Sequence, residues 1–272
     1  MLARALRRIW LLAALAVGLP LPAARVEGAS CEHSGRDAPH LLVFGGWTVR
    51  TEWVWHWLQA LHRDGFSGKA MGSLCAVRGP QLASFEPPDI DVEGLAAELR
   101  TRLDEPGASA PLHLIAHSSG SFVAQRLLQA LRAQGAESLL ARVHYVNLDG
   151  DGGSGARELD ADLVARLADV RAVFARDAQS GSESANAGAM RALAARHPGK
   201  VRLVVLDASR SGCQPLARWC LHMVPITVRP HDPARFDLAR DYGSLGAERP
   251  VQTGYLSSPS GRAADSLVPS AR

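Results

Sequence analysis

The sequence predicts an α/β protein, a mostly parallel sheet with helices on both faces. Three observations predict it. Short apolar runs rich in β-branched residues recur along the chain. Segments with helical hydrophobic spacing fall between them. The 272 residues, 47% hydrophobic and 21% charged, have ordinary globular composition and suffice for one sizeable core. Strand and helix in alternation imply parallel strands, because each crossover returns a helix to one face of the sheet.

The strand candidates are Leu41–Phe44, a weaker run near Lys69–Leu74, Leu112–Ala116, Val143–Leu148, Val170–Ala175 and Val201–Leu206. Their near-continuous apolar character suits strands covered on both sides. After the first of them, Trp53, Trp57 and Leu61 are spaced by four, with Val54 and Leu58 alongside. Val92, Leu95, Ala96, Leu99 and Leu103 keep to one helical face. Val123, Leu127 and Leu131 form another stripe, Ala187–Ala195 a further helix and Phe236–Tyr242 a last short one. From Pro250 the chain is rich in Ser, Pro and Gly, which predicts a loose tail over 250–272.

The N-terminus stands apart. Arg4, Arg7 and Arg8 precede an apolar run from Ile9 to Leu19, followed by Pro20, Pro22 and small residues. This is the pattern of a secretory signal, too short for a membrane span of about 20 residues. The expected domains are a signal peptide over 1–30, a catalytic domain over 31–249 and the tail. Small residues suit cleavage after Gly28 or Ser30, and Gly28-Ala29-Ser30-Cys31 offers an alternative, lipidation of Cys31. Residues 1–30 hold four arginines against Glu27, so the net charge of +3 resides there and the remainder is about neutral. No basic field is left to attract nucleic acid. A secreted or periplasmic location follows.

Four cysteines in an exported chain read as two disulfides. Cys213 and Cys220 can close a small loop, which leaves Cys31 for Cys75. Loop-closure entropy gives about 2.5 kcal/mol for the short loop and about 4 for the long one. The spacing lacks the C-x-x-C of a zinc site, so no metal is expected. H-E-x-x-H, P-loop and dinucleotide fingerprints are also missing from the sequence, so no cofactor is expected.

The strongest signal is Leu112–Leu128, LHLIAHSSGSFVAQRLL. A buried strand runs into Ala116-His117-Ser118-Ser119-Gly120 and a helix starts at once. So tight a strand–turn–helix corner needs small residues two before and two after the serine, lifts its hydroxyl above the sheet edge, and aims helix N-terminal amides at one point. The competing reading is a serine N-cap. Here the chain resembles the α/β-hydrolase superfamily, in its lipase and esterase branch, with A-H-S-x-G in place of G-x-S-x-G. The resemblance spans roughly residues 41 to 242.

It implies Ser118 as nucleophile and, in chain order, an acid and then a histidine. It implies an oxyanion hole from the amide of Ser119 and that of Gly46 or Trp47, in the loop after Leu41–Phe44; the competing reading of Gly45-Gly46 is a tight turn. Trp47 is the tryptophan expected near substrate, whereas Trp53, Trp55 and Trp57 read as core. His222 follows the last core strand beside Cys220, as in the Cys-x-His of pancreatic-type lipases; His231 is its rival and His197 a distant third. Two acids compete. Asp177 follows the second strand after the corner, the usual place, and is favoured. Asp149 follows one strand earlier, as in pancreatic-type lipases. His113 and His117 are four apart across a strand and a turn and are not expected to share a face.

The expected function is a secreted serine hydrolase of carboxylic esters, working through an acyl-enzyme on a small-molecule or lipid ester. The stretch from Asp149 to Asp160 is too short for a large cap domain. Peptidase or acyltransferase activity uses the same three residues, and a non-catalytic binding protein can share the fold.

Overall fold

In the computed structural model, residues 26–65, 70–81, 90–105, 107–209, 211, 213 and 218–226 are described. The strands are β1 (Ala29–His33), β2 (His40–Phe44), β3 (Ser73–Val77), β4 (Leu112–His117), β5 (Val143–Leu148), β6 (Asp169–Arg176) and β7 (Val201–Asp207). The helices are α1 (Thr51–Gly65), α2 (Val92–Leu103), α3 (Gly120–Ala133), α4 (Glu137–Leu140), α5 (Ala161–Arg166), α6 (Ala187–Arg196) and α7 (Arg218–Met223). One sheet carries all seven strands in the order β1-β3-β2-β4-β5-β6-β7. Only the edge strand β1 runs antiparallel, against β3. The fold class is therefore as the sequence predicts, a mostly parallel sheet with helices on both faces and no large cap.

Strands β2 and β4 are buried at every position, which is why they read as unbroken apolar runs. Alternate side chains serve two cores. Leu42, Phe44, Leu114, Tyr145 and Phe174 face α2, α3 and α6. Leu41, Val43, Ile115, Val146 and Val173 face α1 and Leu221 of α7. Helix α2 starts where Asp91 accepts the amide of Gly94 at 2.8 Å, an N-cap that satisfies one orphan donor. Helix α1 buries Val54, Leu58 and Leu61, each leucine contributing about 2 kcal/mol by leaving water. The four-residue series from Trp53 shares only Leu61 with that face, since Trp53 is 71% exposed and Val54 and Leu58 alongside carry the burial. Indole amphipathicity lets a tryptophan sit at a surface where the valine beside it cannot.

Three expectations shift. The weak strand near Lys69–Leu74 is found at Ser73–Val77. A strand over Ala29–His33 was not anticipated, and a boundary after residue 30 falls inside it. Its register sets Cys31 opposite Cys75, and these are disulfide-bonded, as are Cys213 and Cys220. The helix expected at Phe236–Tyr242, the rival His231, the tail and most of the leader lie outside the described residues. No described helix is long and apolar enough to cross a membrane.

Candidate active site

The parallel strands end at one edge of the sheet, so the residues that follow them gather there, the usual place for a site in an open α/β sheet. Strand β4 ends at His117 and α3 begins at Gly120, leaving two residues for the reversal. Ser118 takes φ 54°, left-handed backbone that costs a non-glycine residue about 1–3 kcal/mol. Neighbours hold it there. Its amide donates to Leu148 O at 3.0 Å, and its carbonyl accepts the Ser121 amide at 3.1 Å and hydroxyl at 2.7 Å. Ala116 is fully buried, and a Cβ on Gly120 would collide with the carbonyls of Phe44 and Gly45. The glycine of the corner is thus required by contact, and the alanine is fully enclosed.

The loop after β2 lies against this corner. A Cβ on Gly46 would stand 3.2 Å from Ser118 Cβ and 3.3 Å from His117 Nδ1. Among the described residues, the amides of Gly46 and Ser119 donate to no backbone carbonyl. Ser119 is 6% exposed and caps no amide with its hydroxyl. Trp47, next to Gly46, is half exposed.

The carboxylate comes from the end of β5 and the imidazole from a short helix beyond β7. His222 sits on α7, two residues after the Cys213–Cys220 bridge. Its Nδ1 donates to Asp149 Oδ2 at 2.5 Å, with both side chains buried. Asp149 adopts φ 45° at the end of β5, and its amide donates to Val173 O at 2.7 Å. Ser184 Oγ donates to Asp149 Oδ1 at 2.7 Å, and Asn186 Nδ2 donates to the Asp149 carbonyl at 2.7 Å. Each polar atom of this aspartate therefore has a partner. A carboxylate only accepts, so Nδ1 carries the proton and, in the neutral ring, Nε2 is the basic nitrogen. Such a ring can take a proton from a hydroxyl, and the buried carboxylate stabilises the cation that results.

Asp177, the favoured acid, is elsewhere. Its carboxylate is exposed in a turn of its own, accepting the Gln179 amide at 2.9 Å and the Ser180 hydroxyl at 2.7 Å. These donors hold it below the usual carboxylate range. The loop after β6 doubles back, with the Asp177 amide on Ser182 O and the Ser184 amide on Ala175 O. It therefore presents Ser184, and not Asp177, to His222's partner. His197 caps the C-terminus of α6, away from the site.

His117 also departs from expectation. Strand β4 extends to it, so it shares a face with His113. It is 4% exposed, its Nε2 donates to the His222 carbonyl at 3.0 Å, and the two rings lie 4.7 Å apart. Burial pushes its imidazole down to about 3, so the ring is neutral. Trp219 meets His222 edge-on at 5.3 Å and is otherwise exposed. Sequence reasoning missed Ser184, Asn186 and His117. The first two lie in a Ser- and Gly-rich stretch that reads only as loop, and the third was set aside on the wrong strand boundary. Among the described residues one group has metal-ligand spacing, Cys31, His33 and Cys75, but its two sulfurs are bonded to each other.

No family model and no curated protein matches the sequence. Several solved structures are similar. A thermophilic esterase from Thermogutta terrifontis is 16% identical, with TM-score 0.40 over 66% of this chain and 84% of that one. Acyl-protein thioesterase 2 of Zea mays is 14% identical, with TM-score 0.38 over 66% of this chain and 89% of that one. Lipase B of Aspergillus fumigatus is 12% identical, with TM-score 0.37 over 79% of this chain and 60% of that one. Strand order, the strained corner after β4 and the succession in the chain of serine, aspartate and histidine are this chain's own features, and by them its fold is the α/β-hydrolase fold.

Proposed function

We propose that the protein is an exported serine hydrolase that cleaves carboxylic esters. The observation that carries this reading is the buried His222–Asp149 pair, at the same sheet edge as a serine held in strained backbone. Ser118 Oγ attacks the ester carbonyl as His222 Nε2 takes its proton. Asp149 stabilises the imidazolium and fixes the tautomer. The amides of Ser119 and of Gly46 or Trp47 stabilise the oxyanion. The tetrahedral intermediate expels the alcohol, which leaves with the proton from His222. Water then hydrolyses the acyl group from Ser118 by the same route. Export is supported by the leader-like first thirty residues and by two disulfides.

Hydrolysis of p-nitrophenyl esters of increasing chain length tests the reading and ranks acyl preference. Ser118→Ala should unfold at the wild-type midpoint yet lose roughly 10⁴-fold or more in kcat. A Ser118→Ala protein that still hydrolyses these esters at a comparable rate overturns it.

A further inference from the structure

We propose that His117 is a positioning residue of this site, one that sets the His222 ring by donating a hydrogen bond to its backbone carbonyl. The inference rests on the hydrolase reading. His117 is the last residue of β4 and the immediate neighbour of Ser118, so its place is fixed by the sheet. Helix α7, by contrast, is one short helix of six residues that begins at Arg218, whereas β7 ends at Asp207. Something must tie the histidine on this peripheral element to the serine on the central one.

The Cys213–Cys220 bridge constrains the loop but joins it to nothing in the sheet. The Asp149 contact holds one ring nitrogen. Leu221 packs α7 against the sheet, but a single hydrogen bond leaves the His222 ring free to swing about it and leaves the His222 carbonyl without a partner in the sheet. His117 supplies the missing restraints. Its Nε2 meets the His222 carbonyl at 3.0 Å, and its ring lies against the His222 ring at 4.7 Å with 39° between their planes. A carbonyl only accepts, so His117 carries its proton on Nε2. Its Nδ1 faces the other way, towards Gly46. One buried imidazole thus belongs to the corner, bonds the His222 element and lies beside the loop after β2.

The neutral state of His117 also matters. A charged ring at this spacing would oppose the imidazolium that His222 becomes during turnover. Burial removes that repulsion by keeping His117 uncharged at ordinary pH. In this role His117 acts through His222.

The test uses three proteins: wild type, His117→Gln and His117→Leu. The glutamine amide reaches as far as the imidazole Nε2 and can donate to the same carbonyl, whereas leucine fills the space without a donor. On p-nitrophenyl butyrate, His117→Leu should lose 10- to 100-fold in kcat with KM within about threefold, and its labelling by a fluorophosphonate should slow in parallel. His117→Gln should recover most of that loss. A folded His117→Leu with kcat within twofold of wild type overturns the proposal. So does a His117→Gln no better than the leucine variant, since packing alone would then explain the effect. Imidazole ¹⁵N spectra of the wild type provide a readout without turnover: a neutral His117 protonated at Nε2 from pH 5 to 8 is required, and an Nδ1-protonated ring overturns the proposal. A wild type that neither turns over ester nor labels would sink the hydrolase reading instead, and the spectra would still decide this one.

Discussion

At the level of single residues, the chemistry turns on which aspartate serves His222. Asp149 has no exposed surface and accepts from both His222 and Ser184. Asp149→Asn keeps its shape, but its amide can donate to Nδ1 and so stabilise the wrong tautomer. We expect a fall of roughly 10³–10⁴-fold in kcat with little change in unfolding midpoint. Asp177→Asn should stay within about twofold of wild type, because its carboxylate serves only its own turn. Steady-state kinetics of the two variants decide between them, and equal losses would mean that Asp149 has been misassigned. The sequence offered both acids because each follows a strand by one or two residues. It could not show that the loop after β6 folds back, since that depends on backbone bonds from Asp177 to Ser182 and from Ser184 to Ala175.

At the level of elements, the corner was the most legible feature. Its demands are local: a buried strand, two small residues, a helix, and all of them are adjacent in the chain. The core strands were legible for the same reason. Strand β1 was not, because an edge strand alternates between half-buried and exposed positions and here follows directly on a leader-like segment. The buried face of α1 was displaced by one residue, as large indoles at a helix surface mimic a core stripe. Helix α7 was not legible as a helix; its cysteines marked only a closed loop that carries His222. With six residues it has little stability of its own, and the Cys213–Cys220 bridge closes its leading loop. A paired Cys213→Ser, Cys220→Ser variant should lose about 2.5 kcal/mol at most by the loop-closure estimate. Its loss of kcat should be larger than its loss of stability suggests, because His222 is two residues away. Urea unfolding and ester kinetics on the same preparation check this. Unchanged kcat in a protein shown to lack the bridge would remove any role for it in holding His222.

For the whole molecule, the buried histidines set how the fold responds to acid. Burial pushes His113 and His117 down to about 3 from 6.5. Their folded forms therefore resist a proton that the unfolded chain accepts, so stability is full above about pH 6.5 and is lost as pH falls from there towards 3. Each site gives a slope of up to about 1.4 kcal/mol per pH unit. Between pH 7.5 and 5.5 the two together should lower the unfolding free energy by about 3 kcal/mol, before most carboxylates titrate. Burial also holds His33, His40 and His144 below the usual value, so the whole change should be at least that large. His113→Asn should reduce it by about 1.4 kcal/mol, and urea titrations at the two pH values measure it. A stability flat across that interval would mean that these rings are solvated in the folded state. The architecture that buries them is the one the periodicity predicted, because strand and helix alternation is written in local spacing. The active-site contacts were only partly predictable, because they join residues that are far apart in the chain. The central claim is that His222 and Asp149 activate Ser118, and the most direct measurement is fluorophosphonate labelling followed by peptide mapping. We predict one adduct per chain, on Ser118, absent in Ser118→Ala and slowed by orders of magnitude in His222→Ala and Asp149→Asn. An adduct on another serine, or labelling of Ser118 at the wild-type rate in His222→Ala, would contradict the account.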